Sequence, residues 1–153
     1  MLRAVLFAVS LAVGPLAHAD FHGRVVRVAD GDTLDVLVYR RPVRVRLAQI
    51  DAPEMRQAFG RQARQTLVSL TFRQNVTVIE GGHDRYGRIV GTVYVGRVNV
   101  NRELVRRGMA WASRYHFGDP ALIRIEAEAR RQKRGLWANP YPAPPWNFRK
   151  RRH

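Results

Sequence analysis

Three short stretches hold the side chains best placed to do chemistry: Asp30-Gly31-Asp32-Thr33, the run Arg46-Leu47-Ala48-Gln49-Ile50-Asp51-Ala52-Pro53-Glu54, and Asp84-Arg85-Tyr86-Gly87-Arg88. Asp32 and Asp51 offer oxygen donors that suit a hard cation, with water and a main-chain carbonyl completing the shell. Glu54 is a spare carboxylate able to orient or deprotonate water. Arg46 and Arg88 supply positive charge of the kind that stabilises a phosphoryl-transfer transition state through its equatorial oxygens. Together these are the groups needed to cut a phosphodiester. Singly, each stretch has an ordinary reading: Asp-Gly is a common hairpin turn, Pro-Glu a surface loop, and an arginine a solvated surface group.

Other chemistries find no support in the chain. It has no cysteine, so thiol catalysis, cysteine ligation and disulfide cross-links are excluded. The histidines at 18, 22, 83, 116 and 153 show neither zinc-site nor metalloprotease spacing. No nucleophile elbow, phosphate-binding glycine loop or dinucleotide fingerprint occurs. Trp111, Tyr115, His116 and Phe117 lie near Arg114 and are candidates for stacking on bases, although a core role for Trp111 is at least as natural. Trp137 reads as a packing anchor.

The elements that must position these residues follow from periodicity. Val26 and Val28, then Leu34, Val36 and Val38, then Val43, Val45 and Leu47 alternate as strands, with turns expected at Asp30-Gly31 and at Arg40-Arg41-Pro42. Ala63, Leu67 and Leu70 predict a helix from about Gly60 to Phe72. Two further strands are expected at 75–80 and 88–95, joined by a loop over 81–87. A helix over 100–107 stops at Gly108, and a third begins with Asp119 as cap and Pro120 at its first position, ending near Gly135. The simplest fold with this order is α+β and mainly β: a five-stranded, antiparallel oligonucleotide-binding (OB-fold) barrel with three helices.

Composition sets the remaining bounds. Lys and Arg number 27 against 12 acids, giving a net charge of +15, and only Lys133 and Lys150 are lysines. A guanidinium surface of this strength predicts a polyanionic partner, nucleic acid before membrane. Residues 1–19 read as a signal peptide: Arg3, an apolar run, then Ala17-His18-Ala19 with cleavage after Ala19. The run is too short to span a bilayer, so no stable membrane insertion is expected after its removal. Residues 20–138 then form one domain, and 139–153 a proline-rich basic tail expected to be extended. The expected location is periplasmic or secreted.

With these motifs in this order, the chain resembles the staphylococcal nuclease (thermonuclease) family, over about Gly23 to Trp137. The resemblance implies the OB-fold barrel and calcium-dependent cleavage of DNA and RNA to 3′-phosphate products. It also implies calcium ligation by Asp32, Asp51 and the carbonyl of Ala52, water handling by Glu54, and catalytic roles for Arg46 and Arg88. Arg85, Tyr86 and Tyr115 would bind substrate. Ala52 replaces a threonine of the best-known member, and the loop from Met55 to Phe59 is shorter than in that member.

The expected partners are DNA and RNA, favoured as single strands, acted on by a monomer. The metal expectation of Ca2+ rests on the resemblance, since the ligand types alone admit Mg2+ or Mn2+. Two other classes remain alternatives: a non-catalytic nucleic-acid-binding barrel, which would not need the acids, and a cationic envelope protein that binds polyanions without metal.

Overall fold

A computed structural model describes residues 20–113 and 119–151. Strands β1 (Phe21–Val28), β2 (Thr33–Val38) and β3 (Arg41–Leu47) form a meander, followed by a two-residue strand β4 (Ile50–Asp51) and helix α1 (Gly60–Thr71). Next come β5 (Asn75–His83), β6 (Ile89–Val95), a short β7 (Val98–Asn99), helix α2 (Val100–Arg106) and a short β8 (Trp111–Ala112). Helix α3 (Pro120–Arg131), a 3-10 turn over Gly135–Ala138 and helix α4 (Pro145–Lys150) complete the order.

β1 pairs with β2 and β5, β2 with β3, and β5 with β6, all antiparallel. The ring closes where β3 runs beside β6 with Val45, Arg46 and Leu47 opposite Ile89, Val90 and Gly91, and this seam is parallel. The five-strand barrel is therefore as expected, but it is not wholly antiparallel. A closed ring with an odd number of strands cannot alternate direction throughout, so one pair must be parallel. Alternate residues point inward, and Val25, Leu34, Val36, Val45, Val78 and Val93 are fully buried in the lumen.

The helices pack against the barrel and one another, α1 with the apolar face its spacing predicted. α1 buries Ala63 and Leu67, and α2 buries Val100, Leu104 and Val105. The Asp119 carboxylate accepts from the Ala121 N–H, and Pro120 opens α3. Gly108 has φ of 68°, and a Cβ there would lie 2.1 Å from the Arg134 carbonyl oxygen, so both conformation and space require glycine.

Several local expectations need correction. The second turn is Tyr39–Arg40, at φ 45° and 66°, and Pro42 lies within β3 opposite Leu37. A two-residue hairpin loop needs two left-handed residues, a demand met here without glycine or asparagine. β1 starts at Phe21, well before the Val26–Val28 alternation, and β5 runs to His83 through a bulge between Glu80 and Gly82, which shortens the expected 81–87 loop to Asp84–Arg88. The tail is not simply extended: α4 is a fourth helix, started by Pro145 at a first-turn position.

Candidate active site

The β1–β2 turn brings Asp32 to one end of the barrel. An Asx turn, with Asp30 Oδ1 accepting from the Asp32 N–H at 3.0 Å, shapes it. Gly31 is needed for closeness and not for a special φ, because a Cβ there would lie 2.7 Å from the Cβ atoms of both Ala52 and Ala63. The turn is therefore pressed against the segment after β4 and against α1. Asp32 is 7% exposed. Its Oδ2 accepts from the Ala52 N–H at 2.6 Å, and its Oδ1 accepts from the Thr33 hydroxyl at 3.3 Å.

Asp51 arrives through the turn that follows β3. The Leu47 N–H donates to the Asp32 carbonyl, and Gln49 takes a left-handed φ of 61°. Buried Asn101 on α2 fastens this turn, donating to the Ala48 carbonyl at 2.9 Å while accepting from the Val93 N–H at 3.0 Å. β4 then pairs with β8, Asp51 opposite Trp111. Glu54 sits in a tight turn where its N–H donates to Gln57 Oε1 at 3.1 Å and its carbonyl accepts from the Gln57 N–H at 2.8 Å. Gly60 opens α1 so close to this turn that a Cβ would lie 1.9 Å from the Glu54 carbonyl oxygen.

Arg46 joins the acids. Its Nη2 lies 3.3 Å from Asp32 Oδ2 and 3.4 Å from Asp51 Oδ1, while its Nη1 donates to the carbonyls of Leu47 at 2.7 Å and Ile50 at 2.9 Å. Arg88 enters from the β5–β6 turn, its Nε donating to Asp84 Oδ2 at 2.6 Å. Arg85 donates to the Tyr86 hydroxyl at 2.7 Å, and Tyr86 is 69% exposed with the Arg85 and Arg88 guanidinium groups 4.9 and 5.5 Å from its ring centre.

Asp32, Asp51, Ala52, Glu54, Arg46, Arg88, Arg85 and Tyr86 all line one cleft of about 330 Å³. The structure thus brings together every described residue expected to have a catalytic, cation-binding or substrate-binding role, but not the stacking candidate Trp111; Tyr115, His116 and Phe117 lie outside the described residues. Trp111 is buried against Trp137 with ring centres 4.4 Å apart, and Arg130 stacks over both, so Trp111 serves packing and not base stacking. The cleft also contains a residue of the basic tail. Arg149 donates to Asp51 Oδ1 at 3.2 Å and Oδ2 at 2.8 Å, and to Glu54 Oε1 at 2.8 Å. The available signal was Pro144-Pro145-Trp146, a helix start followed by an apolar anchor.

The Asp32 carboxyl is pushed up to about 7, chiefly by burial, with Asp30 and Asp51 adding to the rise and Arg46 and the Ala52 N–H opposing it. A buried carboxylate beside two others is a place where positive charge is favourable. All the donors are oxygen, which fits a hard divalent cation. Among the described residues, no group of three or more His, Asp or Glu side chains is arranged as a ready metal shell. At Asp84, burial raises the carboxyl, but hydrogen bonds from the Arg88 side chain and from the Arg88 and Tyr86 N–H groups outweigh it and hold it below its ordinary value.

Comparison with known proteins gives the chain's relatives. A family model described as staphylococcal nuclease homologue matches residues 44–139. A protein named micrococcal nuclease from Shigella flexneri is 53% identical over 161 aligned positions, covering 97% of this chain and 92% of that one. Protein ParB of Escherichia coli is 49% identical, covering 98% and 91%, and an uncharacterized endonuclease of the same organism is 49% identical, covering 90% and 91%. With barrel, cleft and near full-length similarity in agreement, the chain belongs to the staphylococcal nuclease family of phosphodiester hydrolases.

Proposed function

We propose that this nuclease is a calcium-dependent enzyme that cleaves DNA and RNA, favouring single strands, and leaves 3′-phosphate and 5′-hydroxyl ends. The observation that carries the reading is the convergence of Asp32, Asp51, Glu54, Arg46 and Arg88 on one cleft. Asp32, Asp51 and the Ala52 carbonyl would hold the cation, which supplies positive charge beside the scissile phosphate.

The chain's own groups then have distinct tasks. Glu54 orients a water molecule and accepts its proton as the water oxygen bonds to phosphorus. The bond from phosphorus to the 5′ oxygen breaks, and that oxygen takes a proton from solvent. The guanidinium groups of Arg46 and Arg88 bind the non-bridging oxygens as their charge builds up. Asp84 orients Arg88 through its 2.6 Å bond. Exposed Tyr86 offers a face for a neighbouring base, with Arg85 beside it for phosphate. Single-strand preference is supported by the same need, since only an unpaired base exposes its face.

The N-terminal sequence supports export with cleavage after Ala19, delivering the enzyme to a periplasm or the medium as a monomer. Residues 1–19 lie outside the described residues, and among those described no helix is long and apolar enough to cross a membrane. The test is hydrolysis of single-stranded DNA by protein beginning at Asp20, with calcium, with magnesium and with chelator. Cleavage is expected with calcium, and Glu54→Gln should lower turnover about 10²–10⁴-fold with substrate affinity retained. Binding without cleavage under every metal would move the protein to the non-catalytic class.

A further inference from the structure

Arg149 reaches the cleft from the far end of the chain, on a helix that has anchors besides this contact. α4 is fastened by other means: Trp146 meets Trp111 edge-on with ring centres 5.4 Å apart, Pro145 is buried, and Gln57 Nε2 donates to the Ala143 carbonyl. These contacts hang α4 beside the turn that carries Glu54. From there the Arg149 guanidinium engages both oxygens of Asp51, at 3.2 and 2.8 Å, and Oε1 of Glu54 at 2.8 Å. Asp51 and Glu54 hold the fork between them, and they raise the guanidinium's proton affinity further, with the Asp51 hydrogen bond the largest cause.

A hard divalent cation needs carboxylate oxygens at about 2.0–2.6 Å. Both Asp51 oxygens that it would use already accept from Arg149, so the cation and the guanidinium compete for them as like charges at close range. Glu54 Oε1 is likewise occupied by a donor where a water would have to sit. The Arg149 side chain is 47% exposed, so it can move into solvent without unpacking the core.

We infer that Arg149 is an internal counter-ion that autoinhibits the enzyme: the α4 strap closes the Asp51–Glu54 pair when the cation is scarce, and cation binding expels its guanidinium. This rests on the reading of Asp51 as a cation ligand and Glu54 as the residue that handles water. The strap raises the cation concentration at which the enzyme becomes active above what the acids alone would need, because each binding event must first break a bidentate ion pair.

The test is calorimetric titration of the purified protein with calcium, beside Arg149→Gln and a control, Arg151→Gln, which removes the same charge from an exposed site two residues on. Arg149→Gln should bind calcium about tenfold more tightly, the control should match the unaltered protein, and calcium should raise the melting temperature most in Arg149→Gln. Equal affinity in all three, with calcium bound and DNA cleaved, overturns the strap and leaves the nuclease reading standing. Equal tightening in both variants overturns it too, since the effect would then be net charge. Absence of calcium binding from all three proteins, with no cleavage, overturns both readings together.

Discussion

At Asp32, two demands meet in one carboxylate: it must be ionised to hold a cation, yet burial raises its proton affinity to about 7. Its folded-state value stands above its ordinary value, so in metal-free protein its contribution favours folding at low pH and is lost as pH rises through about 7. Above that pH, with chelator, Asp32→Asn should be more stable than the unaltered protein in urea melts. With calcium the advantage should vanish, and the calcium needed for cleavage should rise. A variant less stable in chelator, with an unchanged calcium titration, would remove Asp32 from the cation site. Arg44 and Arg46 show the limit of reading residues alone. Both lie on one face of β3, but register sets Arg44 opposite Asp35, where they bond at 2.8 Å, and Arg46 opposite Thr33, within reach of Asp32 and Asp51. Alternation identified the face; only pairing chose each arginine's acid.

The elements divide by how local their causes are. α1 and α2 appear at their expected positions and α3 starts at its expected cap, because apolar spacing and capping act within one or two turns, but α3 ends at Arg131, short of Gly135, which opens the 3-10 turn. Asp119 is a case in point: its carboxylate caps α3 and accepts from Arg102 Nη2 at 2.8 Å, and that hydrogen bond is the main reason its proton affinity lies below the ordinary carboxyl. Its contribution is therefore present above the usual carboxylate range and lost as pH falls through the depressed value. Asp119→Ala should cost about 0.5–2 kcal/mol at pH 7 by urea unfolding, with the difference shrinking in acid. A constant difference across pH would show that the charge is not involved. The turn that carries Glu54 depends instead on space. Gly60→Ala would drive a Cβ into the Glu54 carbonyl, so the turn should shift and turnover should fall more than DNA affinity. Equal losses in both would indicate general unfolding. The Tyr39–Arg40 turn and α4 were not legible, since one adopts left-handed φ without glycine and the other depends on Trp146 finding Trp111.

For the whole molecule, a net charge of +15 makes nucleic-acid affinity a salt-dependent quantity. Affinity for single-stranded DNA should fall as salt rises, with a log–log slope of about −0.7 for each phosphate contacted, and Arg85→Ala should flatten the slope by about one contact. A slope near zero would separate the charge from substrate binding. Composition, strand and helix periods, and the three motifs were enough to reach the barrel, the family and the candidate acids and arginines, because those signals are carried by each segment's own neighbours. The sequence could not show that the barrel closes through a parallel seam, that Asp32 is buried deeply enough to titrate near neutrality, or that Arg149 lies on Asp51 across a separation of 98 residues. Those facts depend on register, ring closure and the path of the tail, which arise only when distant segments compete for the same space and the same charges.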